Sequence, residues 1–184
     1  MIIGLTGTLG AGKGSVADIL VRDYGFEKIV FSDWLKQQMK KQGLELTRKG
    51  IQDFADGLRK EFGVNALAVK VIEMMQPGKR YVIDGFRNPG EVLEFRKLPE
   101  FMLLGMDAPF SLRAQRMIAR ARADDPKTLE DFKVMEDRDK GIGQADYGQQ
   151  MLACYDMADR YLLNDTSFEE LMVRVKDLME DLRC

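Results

Sequence analysis

The chain contains no histidine. That absence removes imidazole general bases, Ser-His-Asp triads and His-ligated zinc in one step. Any chemistry is left to carboxylates, lysine, arginine, hydroxyls and a metal held mostly by oxygen. Cysteine is almost as scarce: Cys154 and Cys184 lie far apart, with no spacing that builds a disulfide framework or a metal site. A reducing, cytoplasmic compartment is the expectation. Long apolar runs are missing too, since no stretch approaches the roughly 18 residues of a membrane span, so no membrane is expected. Met1–Thr6 reads as a strand, with no basic region and apolar run of a signal peptide. An excess of positive charge is lacking as well. The formal net charge is −2, so nothing calls for a nucleic acid polymer as partner. A local cluster of Arg and Lys would still suffice for a small anion.

At 184 residues and 45% hydrophobic content, residues 1–184 are expected to form one domain. Short apolar runs alternate with helical patterns. Ile2–Thr6, Lys28–Phe31, Tyr81–Asp84, Phe101–Met106 and Tyr161–Leu163 read as strands. Helices are predicted over residues 13–23, 33–42, 48–62, 65–75 and 167–181, the last opened by a capping box of Ser167 and Glu170. Such alternation implies an α/β fold: three αβα layers around a five-stranded parallel sheet, with ligands at the carboxyl ends of the strands.

The most specific signal is the run Gly7-Thr8-Leu9-Gly10-Ala11-Gly12-Lys13-Gly14-Ser15, between the first strand and the first helix. Glycines let a backbone curl around phosphate and aim its N–H groups inward. The helix N-terminus adds positive potential, and Lys13 adds a point charge at the β/γ-phosphates. ATP is the expected occupant, with Mg2+. The hydroxyl that usually follows the lysine is displaced one place, from Gly14 to Ser15. Ser15 supports the metal directly or through water.

Asp84 ends the third strand ahead of Gly85-Phe86-Arg87 and is the second candidate for the Mg2+ shell. Ser32-Asp33 follows the second strand. It reads equally as a helix N-cap and as a group that holds the acceptor or takes its proton. Arg59 and Arg87 are candidates for gripping an acceptor phosphate, because a planar guanidinium makes paired charge-assisted bonds. Arg48, at a helix start, reads as a surface charge. An acceptor-binding helical region is expected over residues 33–75.

Residues 111–140 are rich in arginine. Arg113, Arg116 and Arg120 follow i, i+3, i+7 spacing, on one side of a helix that Asp124-Asp125-Pro126 should end; Arg122 and Arg138 follow. A helical lid is expected here, with Arg116 and Arg120 as the groups that stabilise the transferring phosphoryl. Asn164, after the fifth strand, is a candidate for contact with the adenine base, or a simple turn residue.

These residues carry a resemblance that covers nearly the whole chain. The Gly-Lys-Gly-Ser variant resembles that of adenylate kinase and other nucleoside monophosphate kinases. Gly4–Gly14, Asn88–Val92, Asp107-Ala108 and Met157–Tyr161 with Asn164 resemble the P-loop kinase-like domain of deoxycytidylate deaminase-related proteins. Leu58–Gly63 and Asp124–Thr128 resemble archaeal dephospho-CoA kinase-like proteins. Both groups lie in the nucleoside monophosphate kinase-like branch of P-loop NTPase folds. The resemblance implies ATP and Mg2+, Lys13 and Ser15 on phosphate and metal, Asp84 near Mg2+, and a mobile lid. The deaminase half of those relatives is not expected: with no histidine and no Cys-x-x-Cys, their zinc chemistry cannot occur here. The leading expectation is an ATP-dependent kinase of a nucleotide or (deoxy)nucleoside monophosphate, acting as a monomer or small homo-oligomer. The rivals are transfer to a ribose hydroxyl, as in dephospho-CoA kinase, and an ATP-binding regulatory module with slow hydrolysis.

Overall fold

Strand β1 (Ile2–Gly7) is buried along its whole length, because it pairs on both sides. Its neighbours are β3 (Tyr81–Asp84) and β4 (Phe101–Asp107), both parallel to it. With β2 (Glu27–Val30) and β5 (Arg160–Leu163) they complete one parallel sheet in the order β2-β3-β1-β4-β5. The structure, a computed structural model, describes residues 1–121 and 125–182. Arg122, Asp124 and Cys184 lie outside the described residues.

Alternation along β1 divides the core. Ile3 and Leu5 face α1 (Lys13–Tyr24) and α9 (Phe168–Asp181), meeting Val16, Leu20 and Val175. Ile2 and Gly4 face the opposite layer. A Cβ at Gly4 would stand 2.7 Å from the Phe86 ring, so that ring packs directly on the sheet. Phe86 anchors an edge-to-face cluster with Phe31 and Phe95, each 5.1 Å away between centroids. Around it pack α2 (Phe31–Lys41), α3 (Arg48–Phe62), α4 (Ala66–Glu73), α5 (Pro89–Phe95) and, later in the chain, α8 (Met151–Asp156). The expected three-layer arrangement is what the molecule has. Helices α6 (Phe110–Arg120) and α7 (Leu129–Lys140) follow β4 in the chain. They make a small core of their own with Leu9, Ala114, Met117 and Phe132.

Three local expectations are corrected. Helix α2 begins at Phe31, with Val30 at the cap position and no side-chain cap; Ser32 and Asp33 lie inside the first turn. Burial of Phe31 in the aromatic cluster outweighs the cap preference of serine. Helix α6 stops at Arg120, well before Pro126, because Ala121 turns left-handed at φ 48°. At α9 the Ser167 hydroxyl accepts the N–H of Glu170, the forward half of the expected box. Full capping boxes occur instead at Asn88/Glu91 on α5 and Thr128/Asp131 on α7. Helices α5 and α8 are too short for periodicity to reveal.

Candidate functional site

The sheet order reverses around β1, and there the carboxyl ends of β1 and β3 open a crevice. The Gly7–Ser15 loop occupies it. Gly12 caps α1 in the left-handed region, φ 94°, where a Cβ would also collide with the Asn164 amide. A Cβ at Gly14, in the first turn of α1, would meet nothing within 4 Å, so that side of the helix start is open. The cleft it borders has a volume of about 990 Å³ and reaches from the loop across the ends of β2 and β3 to α3, α6 and α7.

Lys13 is buried. Its Nζ donates to the carbonyl oxygens of Gly7, at 2.8 Å, and Thr8, at 2.7 Å. Burial lowers its pKa from 10.5 to about 7; the Arg87 charge adds to this, and Asp84 and Asp139 oppose it. A polyphosphate placed on the loop would supply the negative charge that the ammonium lacks.

Thr8, Ala11 and Asn164 brace the loop from behind. Thr8 Oγ1 donates to Asp107 Oδ1 at 2.6 Å, and Asn164 Nδ2 donates to the Ala11 carbonyl at 2.9 Å. Asn164 therefore holds the loop and does not line the cleft. Leu9, Gly10, Gly12, Gly14 and Ser15 do line it.

Asp84 stands at the end of β3, and both Asp84 and Ser15 line the cleft. Among the described residues no group of three His, Cys, Asp or Glu side chains is arranged to hold a metal. That donor set suits Mg2+, which takes one or two protein oxygens and leaves the rest to substrate phosphates and water.

The arginines divide. Arg87 Nε donates to Asp139 Oδ1 at 2.9 Å and Nη1 to the Phe86 carbonyl at 2.9 Å. Burial opposes its charge, but Asp139 and Asp84 outweigh it and hold its pKa above the ordinary value. Arg116 lines the cleft and donates from Nη1 to the Asn164 carbonyl at 2.9 Å, its pKa lowered by burial. Arg120 also lines it, gripping Asp125 with bonds of 2.7 and 2.5 Å. Arg113, expected on the same side, points inward: its guanidinium donates to the Ala108 and Leu9 carbonyls and to Glu136. It is a strut between loop, α6 and α7. Arg59 reaches the cleft wall, but Nε and Nη2 are committed to Glu91 Oε1 at 2.9 and 2.7 Å, and Nη1 to Asp56 at 3.1 Å. Asp33 is an exposed rim group paired with Lys36 at 3.4 Å.

Arg48 is the residue that sequence reasoning misplaced. It is no surface charge: it lines the cleft, and its Nε is buried with no hydrogen-bond partner. Burial lowers its pKa, with Asp139 and Asp125 pulling the other way and Arg87 and Arg120 reinforcing the drop. A signal existed. Thr47 caps α3 through a 3.0 Å bond from Gly50 N, so Arg48 is a cation in the first turn, at the positive end of a helix dipole. Asp139 was missed likewise. Its Oδ2 is buried and without a hydrogen-bond partner.

Residues 6–133 match the family profile described as an AAA domain. The UPF0200 protein of Pyrococcus abyssi is 36% identical over 92% of this chain and 90% of its own length. That of Thermococcus gammatolerans is 34% identical over 99% and 95%, and that of Sulfurisphaera tokodaii 33% over 97% and 96%. Among solved structures, shikimate kinase from Aquifex aeolicus superposes with a TM-score of 0.57 at 16% identity, covering 100% of this chain and 96% of that one. TT1252 from Thermus thermophilus superposes with 0.60 at 19%, covering 99% and 97%. At such identities the structural likeness is one of fold: a P-loop kinase-like frame.

Proposed function

This chain belongs to the UPF0200 family, and on the chemistry of its cleft we propose that it is an ATP-dependent kinase of a small nucleotide, a nucleoside monophosphate first among the candidates. One observation carries the reading: Lys13, buried and stripped of much of its basicity, waits on a phosphate-sized loop at the edge of an arginine-lined cleft. In this reading the loop amides and Lys13 receive the β- and γ-phosphates of ATP. Lys13 then exchanges the Gly7 and Thr8 carbonyls for phosphate oxygens. Ser15 and Asp84 would hold Mg2+, which when bound neutralises charge across the β/γ bridge. Arg116 and Arg120, together with Arg87, place further positive charge around the moving phosphoryl group. Transfer of this kind depends on positioning and charge more than on proton chemistry.

The acceptor would lie against residues 33–75, between α2, α3 and the cleft floor. Arg48 takes the place of Arg59 on the acceptor side of the cleft, since Arg59 is already held by two carboxylates. Transfer to a sugar hydroxyl is the second reading, and the orphan oxygen of Asp139 favours it. The described parts of segment 111–140, residues 111–121 and 125–140, act as a lid in this scheme, and the protein works in the cytoplasm as a monomer or small homo-oligomer.

Isothermal calorimetry with ATP and Mg2+ tests the first step, and a coupled ADP-release assay over nucleoside monophosphates and dephospho-CoA tests the second. Lys13→Ala should abolish turnover while the far-UV spectrum stays unchanged. Full turnover in that variant, or no heat of ATP binding in the wild type, would overturn the proposal.

A further inference from the structure

Two charges in the cleft stand against their own helix dipoles. Arg48 occupies the first turn of α3, where helices favour anions, and Asp139 the last turn of α7, where they favour cations. Neither placement helps its helix. Both side chains line the cleft, one from α3 and one from α7. Arg48 Nε is a buried donor with no acceptor, and Asp139 Oδ2 a buried acceptor with no donor. The side chain of Asp139 is only 3% exposed, and its other oxygen is fixed by Arg87. The charges of Arg48 and Asp139 act on one another, yet no hydrogen bond joins the two orphan atoms. Both also act on the charge of Lys13, the residue expected at the γ-phosphate.

An orphan donor and an orphan acceptor lining one cleft are together complementary to a group that both accepts and donates. A hydroxyl does this with one oxygen. An ionised phosphate oxygen accepts from Arg48 but has no proton for Asp139, and a buried carboxylate repels it. We propose that Arg48 and Asp139 form a hydroxyl-binding slot, and that the kinase transfers phosphate to an alcohol oxygen of its nucleotide acceptor and not to a phosphate oxygen. This rests on the kinase reading and sharpens it.

In the step, the acceptor hydroxyl oxygen forms its bond to the γ-phosphorus. The bond from that phosphorus to the β,γ-bridging oxygen breaks, and its electron pair leaves with ADP. The hydroxyl proton passes to Asp139 Oδ2. Arg48 holds the attacking oxygen in line, and Arg87 holds the carboxylate.

The test incubates the full chain with ATP, Mg2+ and the same panel of nucleoside monophosphates and dephospho-CoA, and reads the product by phosphorus NMR. A new phosphomonoester singlet is expected. Coupled doublets of a new diphosphate would overturn the slot while leaving the kinase reading intact. Asp139→Asn keeps an oxygen for Arg87 but cannot take a proton. Its kcat should fall on the order of 10²- to 10⁴-fold, with acceptor KM little changed and ATP binding by calorimetry retained. If Asp139 only positions Arg87, KM rises and kcat stays, which refutes the proton transfer. Arg48→Gln should mainly raise the acceptor KM. Water is the smallest hydroxyl that fits, so slow ATP hydrolysis without acceptor should show the same Asp139→Asn loss. A wild type that binds ATP but neither hydrolyses nor transfers it sinks the slot and the kinase together.

Discussion

At the scale of single residues, the role proposed for Lys13 ties ligand binding to its protonation. Its pKa of about 7 lies below the 10.5 of an unhindered lysine. A bound polyphosphate favours the charged form, so binding above neutral pH must take up a proton. Proton uptake per ATP, from calorimetry in buffers of different ionisation enthalpy, should approach about one at pH 8 and fall toward zero at pH 6. Affinity should weaken by roughly tenfold per pH unit above about 7. The same group acts on stability with a definite sign. Between about pH 7 and 10.5 the unfolded chain binds more protons at this site, so the contribution of Lys13 to stability rises with pH there. Below about 7 the full cost of burying the charge is present. Lys13→Met should therefore melt above the wild type at pH 6 without nucleotide, and the gap should narrow as pH rises past 7. Flat proton uptake across this range would remove Lys13 from the phosphate site.

At the scale of elements, the frame around the cleft depends on a buried ion-pair cluster between α3 and α5. Glu91 is fully buried; Oε1 receives Arg59, and Oε2 receives the N–H groups of Arg87 and Asn88. Arg59→Ala would leave that carboxylate uncompensated, at a cost of about 3–5 kcal/mol. Urea unfolding should show the loss as a lower midpoint at unchanged slope. A loss under about 1 kcal/mol would mean that Glu91 finds water or protonates. The cap of α7 is a smaller matter. Thr128 Oγ1 accepts the N–H of Asp131 at 3.0 Å on the exposed surface, and Thr128→Ala should cost about 1 kcal/mol. These elements also mark how far sequence could be read. Strand β3 has the very bounds its apolar run implies, and the strand–glycine loop–helix order of residues 2–24 announces the phosphate cradle. Local pattern fixes both. Arg59, Arg113 and Asp139 were opaque because their partners lie 32, 23 and 52 residues away. Helical spacing puts Arg113 and Arg116 on one side of α6, but only the packing of Leu9, Phe110 and Phe132 decides that one turns inward. Arg48 was the exception: its conflict with the α3 dipole was visible in the chain.

At the scale of the whole molecule, the cleft is a seam between two groups of side chains. One wall is the sheet edge with α1, α2 and α3. The other is α6 and α7, which have their own small core around Phe132. Leu9 of the loop packs into the core of the second wall, and the Arg138 pairs with Asp53 and Asp56 and the Arg87–Asp139 pair add polar links between the two. A ligand that touches Lys13 on one side and Arg116 or Arg120 on the other adds a cross-link present only in the folded state. At a free concentration one hundred times its Kd, ATP·Mg2+ should stabilise the fold by about 2.7 kcal/mol. For a chain of this size that is a Tm increase of roughly 5–11 °C. Lys13→Ala should lose nearly all of the increase. Arg120→Ala should keep part of it, because loop and lysine remain, and the difference between the two variants measures how much of the binding energy comes from the α6–α7 wall. Equal shifts for wild type and Arg120→Ala would place the nucleotide on the sheet side alone, and α6 would then be a bystander to binding.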